Sequence, residues 1–86
     1  MLSVCMYAVE ELRQEFIHQV RTHGSLVGVC IKLGISEQAF YKCQAKRMDL
    51  PWKVQRMLGV RKVMDGNTVV GYVSMGGEVR WEDVWK

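Results

Sequence analysis

Apolar residues recur at helical spacing near the start of the chain. Val9, Leu12, Phe16, Ile17 and Val20 fall on one face, with Glu10, Glu11, Arg13, Gln14 and Gln19 in the gaps. That periodicity predicts an amphipathic helix over residues 8–22, stopped at Gly24. Ser25 is placed to cap a second helix over 26–33, whose inward face is Leu26, Val29, Cys30 and Leu33. Gly34 suits the left-handed position after that helix, and Ile35 fills the angle behind it. Ser36 caps a third helix running to about residue 47, anchored by Phe40 with Ala39 and Cys43. Glu37, Gln38, Tyr41, Lys42, Ala45 and Lys46 are left on its outer face. Pro51 opens a fourth helix, "PWKVQRML", closed by Gly59, with Trp52, Val54, Met57 and Leu58 expected to complete the core.

After Gly59 the period changes. "VRKVM", "TVVGYVS" and "EVRWEDVW" are β-branched and aromatic runs, separated by Asp65-Gly66-Asn67 and Gly76-Gly77. These predict two or three short antiparallel strands. Val4–Tyr7 fits either a further strand beside this sheet or an extension of the first helix. The expected fold class is therefore α+β: a four-helix bundle over residues 8–59, followed by a C-terminal hairpin or three-stranded meander over 60–86. An 86-residue chain predicts one domain with a single modest core.

Composition narrows the function. No stretch reaches the ~20 apolar residues of a membrane span. "MLSVCMYA" lacks a basic flank and runs directly into "VEELRQEF", so it reads as structure and not as a signal peptide. A cytoplasmic protein is expected. Cys5, Cys30 and Cys43 are odd in number, form no CxxC pair and have no zinc-like spacing with His18 or His23. Cys30 and Cys43 are expected to be buried as small hydrophobes. No metal or other cofactor is expected. No Ser/His/acid, paired-carboxylate or phosphate-loop arrangement is present, and an enzyme is not expected.

The net charge of +3 is small, but its distribution is uneven. Residues 32–62 carry eight basic and two acidic side chains, a net +6, between slightly acidic flanks. Such a directional field is the footprint of a phosphate-binding face, or simply of a solvated helical surface.

Two helices joined by Leu33-Gly34-Ile35-Ser36 describe a helix-turn-helix, and here the chain resembles a known family. "GSLVGVCIKLGISEQAFYKCQAKR" is similar to the helix-turn-helix of small phage regulators of the Cro and lambda-repressor type. "LGISEQAFYK" also resembles the corresponding segment of some insertion-sequence transposases. "LPWKVQRMLGVRKV" looks like the segment of phage regulators where a short helix ends in Leu-Gly and a strand follows. The sequence departs from that pattern at Cys30, Cys43 and Glu37.

The resemblance implies a sequence-specific regulator of transcription, phage-encoded and acting in the host cytoplasm, with the third helix in the major groove of double-stranded DNA. Gln38 is then the leading base reader, through its amide on adenine. Lys42 reaches guanine or a phosphate. Tyr41 contacts a thymine methyl or a phosphate, or is half-buried against the fourth helix. Glu37 accepts from cytosine N4 or complements the helix dipole. Ser25, Ser36, Lys46, Arg47, Lys53 and Arg56 are candidates for backbone phosphates, which position without specifying. One short helix reads few base pairs, so a homodimer on a palindromic operator is expected. Val79, Trp81, Val84 and Trp85 in the tail are the candidate dimer surface. The alternatives are a protein-binding module on the same scaffold, such as a phage inhibitor of a host protein, or the antitoxin or autoregulator of a two-gene system.

Overall fold

The computed structural model describes residues 4–85. Along the chain run β1 (Cys5–Tyr7), α1 (Val9–Thr22), α2 (Leu26–Leu33), α3 (Glu37–Gln44), α4 (Trp52–Leu58), β2 (Val60–Asp65) and β3 (Thr68–Ser74). A single 3-10 turn, Trp81–Asp83, follows. Four helices and an antiparallel sheet are present. The expected order, a helical bundle followed by a wholly C-terminal sheet, is overturned.

The sheet runs β1-β3-β2, so its first strand precedes every helix. Cys5, Met6 and Tyr7 pair with Ser74, Val73 and Tyr72, while β2 pairs with the other edge of β3 from Val60↔Ser74 to Asp65↔Thr68. Both edges of β3 are thereby filled. "EVRWEDVW" has no edge of β3 left to join. Its apolar residues Trp81, Val84 and Trp85 also stand at i, i+3 and i+4, the spacing of a helical turn and not of a strand. The tail accordingly folds back across the helices. Val84 is buried at 4 % exposure, and Val79, Trp81 and Trp85 pack against the core.

Leu12, Phe16, Ile17 and Val20 of α1 form the centre of the core, meeting Val29, Cys30 and Leu33 of α2 and Phe40 and Cys43 of α3. The Phe16 and Phe40 rings meet edge to face at 6.0 Å. Cys30 and Cys43 are buried and unpaired by disulfide. Arg13, placed on the solvent side by periodicity, is instead buried. Its guanidinium pairs with Glu10 one turn earlier, the compensation a buried charge requires. Two tyrosine hydroxyls fasten loops to the sheet: Tyr72 accepts the Leu50 N–H at 3.0 Å, and Tyr7 accepts the Val79 N–H at 2.9 Å.

Pro51 stands one residue before α4, in the N-cap position. The inward face of α4 is Val54 and Leu58, with buried Gln55 donating to the Leu50 carbonyl at 2.6 Å. Trp52 and Met57 do not complete the core. Trp52 is two residues from Val54, on the far side of the helix, and is 63 % exposed. No helix among the described residues is long and apolar enough to cross a membrane.

Candidate nucleic-acid interface

The turn between α2 and α3 is built as its residues dictate. Gly34 takes φ 70°, ψ 31°, the left-handed conformation that costs glycine no Cβ clash. Its N–H donates to Ile31 O at 3.2 Å, and the Ile35 N–H donates to Cys30 O at 3.0 Å, which closes α2. Ser36 Oγ accepts the Ala39 N–H at 3.0 Å, and Ser25 Oγ accepts the Gly28 N–H at 3.2 Å. Each hydroxyl keeps its own O–H to donate outward. Lys53 Nζ on α4 donates to Gly34 O at 2.7 Å, bracing the turn from outside.

Phe40 and Cys43 hold α3 to the body, which leaves Gln38, Tyr41 and Lys42 facing outward. These three line one open concavity together with Gln44, Ala45 and Arg47. Tyr41 is 55 % exposed and meets Phe40 edge to face at 5.7 Å. Its neighbours beyond α3 are Arg21 and Leu26, at the junction of α1 and α2, and not α4. Glu37 is exposed at the start of α3, where a carboxylate complements the helix dipole. Its charge adds to burial in pushing the Cys30 thiol above its ordinary pKa.

The third helix is shorter than the expected span to residue 47. It ends at Gln44, and Lys46 adopts φ 62°, uncommon for a residue with a Cβ. The Lys46 N–H returns to Cys43 O at 3.1 Å and the Arg47 N–H to Lys42 O at 2.8 Å, closing the helix without a glycine. The reversal carries the chain to Leu50, which is buried in the core. Lys46 Nζ lies 3.9 Å from Glu10, toward α1, whereas Arg47 stays on the face of Gln38 and Lys42.

Lys53 and Arg56 form a neighbouring group with Trp52 and Met57. The Lys53 ammonium sits 5.8 Å from the centre of the Trp52 ring. The fold thus brings Gln38, Tyr41, Lys42 and Arg47 together, sets Lys53 and Arg56 beside the turn, and turns Lys46 aside. Of the four residues considered for pairing between copies, Val84 is buried in the protomer, while Val79, Trp81 and Trp85 are partly buried against its core. Trp85 stacks on His23 at 3.9 Å and 8°, donates from Nε1 to Gln19 Oε1 at 2.8 Å, and accepts Lys32 Nζ at its carbonyl at 2.8 Å.

Sequence reasoning assigned Trp52 to the core and gave Arg21 no role. The spacing of Trp52 from Val54 and Leu58 carries the signal for its exposure, because residues two apart lie on opposite sides of a helix. No group of three or more metal-ligating side chains exists among the described residues. No protein-family model, curated protein or solved structure matches the chain.

Proposed function

We propose that this protein is a sequence-specific double-stranded DNA-binding regulator whose α3 enters the major groove. The observation that carries the proposal is the joint exposure of Gln38, Tyr41 and Lys42 on one face of a capped helix braced at its turn, with Arg47, just past the helix end, lining the same concavity. An amide and an ammonium on that face match the donor and acceptor edges of bases, and the cations match phosphates. Eight residues of helix span only a few base pairs, so two copies on a palindromic operator are the economical arrangement, with half-sites ~34 Å apart. Val79, Trp81 and Trp85 of the tail are only partly covered by their own protomer and keep surface for such pairing.

Titration of a mixed-sequence duplex at rising salt tests this function. Affinity should fall linearly on logarithmic axes, and Lys42→Gln should reduce the slope by about 0.9. Gln38→Ala should cost roughly 1–3 kcal/mol at one base position only. Salt-independent binding, or none, would refute the proposal.

A second function, docking to another protein, is favoured by Val27 and Ile31, which stand one turn apart on the outer face of α2 at 55 % and 75 % exposure. Capture of a partner that survives nuclease treatment, and is lost in Ile31→Glu, would support it.

A further inference from the structure

A helix in the major groove meets a sugar-phosphate wall on each side as well as base edges at its tip. The groove is ~12 Å wide and a helix with side chains is ~10–12 Å across, so the walls press against its flanks. In this protein α3 has a depression along each flank. One is lined by Arg21, Gly24 and Leu26 with Tyr41 and Gln44. The other is lined by Ile35, Ala39 and Met48 with Trp52 and Lys53. Tyr41 and Ala39 are two residues apart, about 200° around the helix. The depressions therefore open on opposite sides of the face that carries Gln38 and Lys42.

Each depression holds a cation and an aromatic ring. Arg21 is exposed, and no carboxylate lies within ion-pair distance of it among the described residues. Lys53 gives one donor to Gly34 O, and an ammonium has three. Trp52 extends away from the core beside the Lys53 ammonium, and its indole N–H makes no hydrogen bond among the described residues. Of the nearby acids, Asp49 lies 3.6 Å from Lys62 and Glu10 faces Arg13 and Lys46, while Glu37 stands one turn before Tyr41 on the Arg21 side of α3, outside ion-pair distance of Arg21.

We propose that these two depressions seat the two strands of one duplex, Arg21 holding a phosphate of one strand and Trp52 with Lys53 holding the other. The inference rests on α3 entering the groove, and it adds a consequence: the protein selects duplex over single-stranded nucleic acid, because only a duplex supplies both walls at once.

The test uses the full chain, a mixed-sequence 20-base-pair DNA duplex as probe (about two helical turns), and each of its strands alone. Arg21→Gln should lower the salt slope for the duplex by about 0.9, while Arg80→Gln, in the tail, should not. Binding of the duplex should change tryptophan emission, and Trp52→Phe should abolish that change. The wild type should bind the duplex more tightly than either strand. All three replaced side chains are exposed, and a thermal melt checks that the variants are folded. Duplex binding that needs Lys42 but keeps its slope in Arg21→Gln and its emission change in Trp52→Phe would overturn the two-wall arrangement alone. Equal affinity for single strands would do the same. Failure of the wild type to bind any duplex at low salt would overturn this arrangement together with the function proposed above.

Discussion

The ammonium of Lys53 donates across 2.7 Å to the carbonyl of Gly34, tying α4 to the turn of the helix pair. The same lysine bears on two properties. Lys53→Met should cost about 1 kcal/mol of stability, as for a solvated hydrogen bond, and should weaken binding to all duplexes by a similar factor. Gly34→Ala should cost about 1–2 kcal/mol, because φ is 70° there. An added Cβ would also stand 3.1 Å from Lys53 Nζ and push that ammonium aside. The two losses should therefore sum to less than additive in the double variant, measured by urea unfolding. Strict additivity would show that the bond does not brace the turn.

Gly71 lies where β1 meets the centre of the sheet. A Cβ there would come within 2.8 Å of the Tyr7 carbonyl oxygen, a backbone atom that cannot step aside. Gly71→Ala should cost about 1–3 kcal/mol. Amide exchange should accelerate first at Cys5–Tyr7, the strand forced outward. Unchanged protection of those amides would argue against β1 pairing at that edge.

Alkaline pH should unfold the protein earlier than surface chemistry alone predicts. Burial pushes the Cys43 thiol above its ordinary value of 9.0, partly offset by Arg13, and the Tyr72 hydroxyl above its ordinary 10.0, partly offset by the Leu50 N–H. Above those values the unfolded chain has released protons that the folded chain still holds. The stabilisation is complete below about pH 9 and is lost as pH rises through the elevated folded values. Urea midpoints should be flat to about pH 9 and then fall, and Cys43→Ala should lessen the fall. A midpoint that is constant well past pH 10 would contradict this account of both groups.

The stacking of Trp85 on His23, and the Trp85 bond to Gln19, make the tail a part of the protomer. Trp85→Ala should cost about 2 kcal/mol, less than a fully buried tryptophan because the ring is only partly covered. The sedimentation mass should not change. A halved mass at an unchanged melting temperature would instead assign the ring to pairing between copies.

What could be read from the sequence tracks how local the determinant is. The bounds of α2 are marked on both sides, by Ser25 accepting an N–H and by Gly34 at positive φ, and both signals are single residues. The end of α3 carries no such mark, because Lys46 takes the left-handed position that glycine usually advertises. The strand Cys5–Tyr7 is three residues long, too short to display a period, and its partner lies more than sixty residues away. Only the pairing itself decides between strand and helix there. Arg13 defeats the rule that charges face water because Glu10, itself exposed, reaches its guanidinium from one turn earlier. On the candidate interface, the outward set on α3 follows from the Phe40 and Cys43 anchors. The flanks formed by Arg21 and Trp52 depend on how α1 and α4 pack beside it, which no local pattern records.

Selection from a pool of random-sequence duplexes with the purified protein tests the central claim most directly. The account predicts enrichment of a short motif whose preference at one position is relaxed by Gln38→Ala, with Arg47→Ala weakening all selected sequences alike. A pool that emerges from repeated selection without any enriched motif, or a motif indifferent to Gln38, Tyr41 and Lys42, would contradict it.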